Sequence, residues 1–318
     1  MKVSVSITTF NQEPYIAAAL DGILMQEADF DYEIIVGEDC SSDGTRSIVE
    51  EYERRYPYRI KSVLPEQNLG GLGKRIFAET LKLCRGEYIA CMDGDDYWTS
   101  PHKLQKQVEF LERYTQCSMC FHDVMIMHED SSLMPRRFVS SHRAMFSDPD
   151  DLFAGCFIPA CSPVFRRHAL VPLPSWYFNL PSGDWSLYLI AGEQGKIGYL
   201  DEVMGVYRVH RGGMWSGADP LEQLDAVVCK YVALNSATQY RYNSQIHWAL
   251  SDAFLRIAKE HAKAGDVRLS QKYAFAALCK NPAGRRLNKK QLLIYLLKPY
   301  LQWLLRVANS SRRGSYKL

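Results

Sequence analysis

Not one acidic residue follows Asp266 in this 318-residue chain, although twelve basic ones do, from Arg268 to Lys317. What precedes carries 26 Lys and Arg against 36 Asp and Glu, so a total of +2 conceals an acidic body and a basic tail. Such a division points the tail at an anionic partner and is silent about the fold. No leader is expected either: Met1 runs straight into the strand-like residues 2–8, without a charged segment and a long apolar stretch, so the expectation is a cytoplasmic chain. Nine cysteines make an odd count, scattered and partly within apolar runs, which reads as reduced thiols rather than a disulfide framework. Cys117 and Cys120 form a CxxC pair, but without a second pair at zinc-site spacing it reads as packing. Neither a GxGxxG turn after the first strand nor a P-loop occurs; Gly70, Gly71 and Gly73 follow the third strand instead.

What is present is a globular composition, 47% hydrophobic and 23% charged, long enough for one large domain with an appendage or two modest ones. The first part alternates short β-rich apolar runs with amphipathic segments, which argues for βαβ units and a parallel sheet. Strands are expected over residues 3–8, 32–37, 59–64 and 87–92, with helices over 14–25, 42–56, 73–83 and 101–113. Beyond residue 118 a strand is expected over 119–127, a polar loop to about 148, and a proline-punctuated insertion over 159–181. A helix over 185–192 and two strands, 196–199 and 203–209, follow, and from residue 221 the pattern is helical.

In open α/β sheets ligands bind beyond the carboxyl ends of the strands, and each of the four strands has polar residues there. Thr8, Thr9 and Asn11 follow the first, Glu38 and Asp39 the second, Asn68 and its glycines the third, and Asp93-Gly94-Asp95-Asp96 the fourth. Any one set is ordinary turn chemistry; four coincident sets argue for a site. The acids of the last set repel one another, a cost that a hard divalent cation such as Mg²⁺ or Mn²⁺ offsets, typically through one or two carboxylates plus substrate phosphates.

Taken together, Val3-Ser4-Val5-Ser6-Ile7-Thr8-Thr9-Phe10-Asn11, Glu38-Asp39-Cys40-Ser41-Ser42-Asp43-Gly44-Thr45, Asn68-Leu69-Gly70 and Asp93-Gly94-Asp95-Asp96 resemble the successive motifs of family 2 glycosyltransferases. The likeness resumes at Ser182-Gly183-Asp184-Trp185 and Tyr207-Arg208-Val209-His210. It implies an α/β GT-A fold, with a Rossmann-like, mostly parallel central sheet flanked by helices and a helical C-terminal extension. It also implies an inverting enzyme that takes a sugar from a nucleotide donor, expected to be UDP-linked, to a hydroxyl of a glycan or lipid-linked acceptor. Residues 1–218 would be catalytic, with 1–117 as nucleotide half and 118–218 as acceptor half; 219–318 would be a helical, basic region.

Carried over residue by residue, the resemblance implies that Thr8, Thr9, Asp39, Asn68, Arg75, Asp93 and Arg208 bind the nucleotide. Asp39 would meet the base, Asp93 the ribose and Arg208 the diphosphate. Asp95 and His210 would hold Mn²⁺ or Mg²⁺, Asp184 would be the base, and Trp185 would face the acceptor. Unlike a glycosidase, such an enzyme needs one carboxylate, because its leaving group is a diphosphate that a metal stabilises. The segment from His210 to Ser216, with Gly212 and Gly213, resembles a mobile loop that folds over donor. Rival readings are a nucleotidyltransferase making nucleotide-sugars and a non-catalytic sugar-nucleotide-binding module. The acidic body argues against nucleic acid. In the tail, Leu293, Leu296, Leu297, Tyr300, Leu301 and Leu304 fall at helical spacing opposite Lys298, Gln302 and Arg306. That pattern suits an interfacial helix on the inner face of a membrane, or equally one packed on the catalytic domain or on the second subunit of a homodimer.

Overall fold

A computed structural model describes residues 1–131, 133–139, 143–213, 215, 217–281 and 294–295. The chain divides into two compact units, Met1–Gly217 and Ala218–Leu318. In the first, β1 (Val3–Thr9), α1 (Ile16–Leu24), β2 (Tyr32–Glu38), α2 (Thr45–Arg55), β3 (Ile60–Val63), α3 (Lys74–Leu83) and β4 (Tyr88–Asp93) alternate as expected. There follow β5 (Tyr97–Trp98), α4 (Lys103–Arg113), β6 (Cys117–His128), β7 (Arg136–Arg137), β8 (Phe146–Ser147), β9 (Val164–Arg166), α5 (Arg167–Leu170), α6 (Asp184–Gly192) and β10 (Lys196–Val209), with short 3₁₀ turns at Pro149–Ala154 and Ser175–Asn179. Among the described residues ten strands share one sheet, along the path β3-β2-β1-β4-β9-β6-β10-β5, with β7 beside β6 and β8 beside β10.

All seven residues of β2 and six of the seven in β1 are buried, as expected of parallel strands covered on both faces by helices. Register then places the site. Thr8 lies between Gly37 of β2 and Asp93 of β4, and Thr9 opposite Glu38, so three strands end at one level and present their polar tips together.

Two expectations are corrected. The insertion over 159–181 contains β9, which runs antiparallel between β4 and β6 and joins the two halves of the sheet. Three residues after Pro163 are too few to carry a period-2 signal. The two strands expected over 196–209 are one, β10, whose pairing with β6 shifts register between Leu200 and Val206; the bulged residues break the alternation while the ladder continues.

Close backbone approach holds β1 against β4. A Cβ on Gly86 would stand 2.4 Å from the Ser4 amide nitrogen and 2.8 Å from the Tyr88 carbonyl oxygen, neither of which can move without opening the sheet. Gly86→Ala is therefore expected to cost about 2–3 kcal/mol and to lower the thermal midpoint of this unit by about 5–10 °C. A scan with an unchanged midpoint would overturn this account.

The second unit is helical over its described part: α7 (Pro220–Ala237), α8 (Asn243–Lys263) and α9 (Val267–Lys280). Asp219 caps α7, accepting the Leu221 N–H at 2.8 Å, with Pro220 in the first turn. Asp266, the last acid of the chain, caps α9 through the Leu269 N–H at 2.9 Å. Leu255 and Ala258 of α8 pack on Ala274 and Ala277 of α9. Among the described residues no helix is long and apolar enough to cross a membrane. Of the tail taken for an interfacial helix, Leu293, Leu296, Leu297, Lys298, Tyr300, Leu301, Gln302, Leu304 and Arg306 all lie outside the described residues.

Candidate active site

The tips of β1, β2 and β4 are knitted together by backbone bonds. Gly94 N–H donates to the Thr8 carbonyl at 2.9 Å and Asp39 N–H to the Thr9 carbonyl at 3.0 Å. Thr8 also donates its hydroxyl to Asp93 Oδ1 at 3.3 Å. Thr9 faces inward, 3% exposed, and a side chain on Gly94 would stand 2.8 Å from its Oγ1. Its side chain lies beneath the acidic turn, on the β1 face that also carries Val5 and Ile7.

On the β2 side, Asp39 Oδ1 accepts the Leu69 N–H at 2.7 Å, and Asn68 Nδ2 donates to the Asp39 carbonyl at 2.8 Å. Burial pushes the Asp39 carboxyl up, against the Leu69 bond that draws it down. The loop then passes through four successive left-handed residues, Gly70 to Gly73 with Leu72 among them, which explains the glycines there without any dinucleotide. Arg75 emerges exposed from the first turn of α3, its Nη1 donating to the Leu69 carbonyl at 3.2 Å.

The acidic turn meets β10. Pairing of β5 with β10, Tyr97 opposite Val206 and Trp98 opposite Gly205, delivers Arg208 and His210 to it. Asp96, 1% exposed, accepts the Arg208 N–H on Oδ1 at 2.9 Å, and Arg208 Nη1 donates to the Asp95 carbonyl at 2.7 Å. The Arg208 guanidinium lies over Tyr97, 4.4 Å from the ring centre, and 5.3 Å from that of Tyr15. Tyr15 donates to Glu129 Oε1 at 2.9 Å and packs on His210 at 4.6 Å between ring centres. His210 Nε2 stands 3.2 Å from Asp95 Oδ2. That contact raises the imidazole above its ordinary value.

Asp93 opens to the cleft, yet protein atoms crowd its carboxyl. Shortage of water, then the charges of Asp95 and Asp184, push it up to about 7. Burial and Asp95 likewise hold Asp96 well above the carboxylate range. Such an excess of acid is the environment a divalent cation relieves. Asp95 and His210 converge as two candidate protein ligands, and no set of three or more His, Cys, Asp or Glu does so among the described residues. Two ligands fit Mg²⁺ or Mn²⁺ shared with substrate oxygens better than a closed structural site.

Asp184 is exposed in the first turn of α6, behind Gly183 as N-cap, and its Oδ1 accepts the Trp185 N–H at 2.6 Å. Its charge is felt at Asp93 and at Tyr177, Tyr188 and Tyr207. The acceptor role expected for Trp185 is corrected: the indole is 2% exposed, lies edge-on to Phe153 at 5.5 Å, and donates to the Leu152 carbonyl at 3.1 Å. An aromatic beside a candidate base signals core and subsite alike, and only burial separates them. Trp215 is half exposed in the loop after β10; Met214 and Ser216 of that loop lie outside the described residues. Cys117 and Cys120 are both buried on β6 and pack in the same apolar core. Sequence reasoning does not single out Tyr15, Lys74 or Glu129, because none stands in a motif and each acts across distant segments; Asp96 stood in the acidic turn, but its hold on the Arg208 amide was not legible there.

The sequence profile described as glycosyl transferase family 2 matches residues 4–170. The chain belongs to that family. It is 39% identical over 220 residues to an uncharacterised protein of Mycobacterium tuberculosis, covering 68% of this chain and 61% of that one. It thus spans about three fifths of that relative's length. A Nostoc protein named as an uncharacterised glycosyltransferase is 29% identical over 222 residues, 66% of this chain and 65% of its own. Among solved structures, Staphylococcus aureus TarS 1–349 in complex with UDP-GlcNAc superposes with a TM-score of 0.58 at 19% identity, covering 86% of this chain and 90% of that one. A mannosyltransferase from Pyrobaculum calidifontis in complex with GDP-Man and Mn²⁺ gives 0.54 at 18% identity, covering 94% and 87%. At such identities the likeness establishes the fold, which is the expected GT-A arrangement of a mostly parallel sheet flanked by helices.

Proposed function

We propose that this family member is an inverting glycosyltransferase that moves a sugar from a UDP-linked donor to a hydroxyl of a glycan or lipid-linked acceptor. The observation that carries this reading is the convergence of the acidic turn with Arg208 and His210 at the tips of β1, β2 and β4, within reach of the charge of Asp184. A single carboxylate beside a diphosphate-binding floor suits transfer from an activated donor. Residues 1–117 would hold the nucleotide and 118–218 the acceptor.

In this reading Asp39 and Asn68 order the base-binding edge, Arg75 borders it, Asp93 takes ribose hydroxyls, and Arg208 meets the diphosphate with the N–H groups not engaged by Asp95. Mn²⁺ or Mg²⁺, held by Asp95 and His210, would supply positive charge against the departing diphosphate. Asp184 accepts the proton of the acceptor hydroxyl as its oxygen bonds to the anomeric carbon. The carbon–oxygen bond to the diphosphate breaks on the opposite face, so configuration inverts and the nucleoside diphosphate leaves with the bonding pair.

Thermal shift with a nucleotide panel, with and without Mn²⁺, tests the proposal. The TarS complex favours UDP and the mannosyltransferase complex keeps GDP in the panel. A ligand at a hundred times its Kd stabilises by about 2.7 kcal/mol, which moves the midpoint of a unit this size by about 5–10 °C. The expected result is such a shift for UDP that requires the metal. If no nucleoside diphosphate shifts the midpoint, the reading fails.

A further inference from the structure

We propose that Lys74 is a positioning residue that clasps the segment delivering Asp184 to the helix that carries Arg75, an inference that rests on Asp184 as the base. Lysine is almost never fully buried, because its ammonium is costly to strip of water. Lys74 is 3% exposed all the same, although its neighbour Arg75 is exposed. Burial is compensated in an unusual way. The ammonium donates to the Phe178 carbonyl at 3.1 Å, to that of Tyr177 at 3.4 Å, and to that of Leu180. Three N–H donors thus meet three carbonyls, and no carboxylate is among these partners.

Those carbonyls belong to the end of the 3₁₀ turn Ser175–Asn179 and the residue after it. There the chain runs out of its own N–H donors and its dipoles point their negative ends outward, so a cation is the natural cap. The Tyr177 ring, 1% exposed, packs 5.9 Å from the same ammonium. The clasp joins positions more than a hundred residues apart.

The aliphatic stem extends the contact. A Cβ on Gly183 would stand 3.6 Å from Lys74 Cγ and 3.9 Å from Tyr177 Oη, so the residue before Asp184 rests on the clasp itself. On the other side, Lys74 opens α3 directly after left-handed Gly73, and its successor is Arg75. The nucleotide edge and the base therefore share one post. Removing it frees Asp184 to shift while leaving Asp39, Asn68 and the acidic turn untouched.

The test is Lys74→Met in the full chain, read by donor Kd, by kcat, and by backbone amide exchange over residues 175–184. The expected result is a roughly 30–100-fold fall in kcat, the scale on which displacement by about 1 Å acts, with donor Kd within about threefold. Exchange over 175–184 should rise. Lys74→Arg, which keeps donors at the carbonyls, should recover much of the turnover, which a loss of mere bulk would not predict. Should Lys74→Met fail to fold, Lys74→Gln is read in the same way. Unchanged exchange, or a fall in turnover explained wholly by weaker donor binding, overturns the clasp. Asp184→Asn run beside it separates the two readings: an active Asp184→Asn enzyme removes the base assignment, whereas unchanged exchange in Lys74→Met removes the clasp whatever Asp184 does.

Discussion

Asp184→Asn is expected to lower kcat by about 10³-fold, within the range that a positioned general base contributes. The substitution isolates proton acceptance from structure. An amide oxygen can still accept the Trp185 N–H that Asp184 Oδ1 accepts at 2.6 Å, so the start of α6 is preserved. Trp185 stays anchored by Phe153 and the Leu152 carbonyl. What the amide cannot do is take a proton from an incoming hydroxyl. Donor binding, measured by calorimetry with UDP and Mn²⁺, should persist within a few-fold, because Asp39, Asn68, Arg75 and Arg208 belong to other segments. A variant that turns over like the parent would show that some other group accepts the proton.

Asp95→Asn is the second large effect. Turnover with donor is expected to fall by about 10²–10³-fold, the usual loss when one element of a charge clamp on a leaving group is removed, and the Mn²⁺-dependent part of the nucleotide thermal shift should vanish. Stability without ligands should change little, because the weakened His210 contact with Asp95 Oδ2 is opposed by relief of repulsion among the acids. The charge of Asp95 pushes up the carboxyls of Asp93 and Asp96, so removing it relieves repulsion in the empty turn. The Arg208 side chain bonds the Asp95 carbonyl, not its carboxylate, and Asp96 holds the Arg208 amide, so β10 keeps its place. Manganese binding followed by electron paramagnetic resonance checks this directly. An undiminished Mn²⁺ response in Asp95→Asn would remove Asp95 from the ligand set.

These two variants probe residues that could be read from sequence, and the reason they could is local. Each sits at the end of a regular element, where a short acidic string follows an apolar run or opens a helix. β1, β2 and β4 were legible because strands buried on both faces are nearly continuous apolar runs, and their polar tips had to fall together once the strands were parallel and in register. β9 was not legible: three residues owe their strand state to the β4 and β6 edges on either side. Trp185 shows the opposite limit. Its identity suited a sugar platform, and only the packing of Phe153 over it assigns it to the core.

By itself the sequence determined the order of strands and helices from β1 to β4, the four polar tips and the acidic turn, because apolar period and turn chemistry are written in neighbouring residues. It also marked the change of charge at Asp266, the acid that proves to cap α9. Tertiary structure alone decided that β5 would pair with β10 and so bring Arg208 and His210 to the acidic turn. It alone turned Thr9 and Trp185 inward, and set the buried ammonium of Lys74 against three carbonyls more than a hundred residues away. The physical reason is the same in each case. Where a side chain lies inside or faces the cleft depends on which distant segment covers it, and burial changes the free energy of a charge or an indole far more than any local preference does.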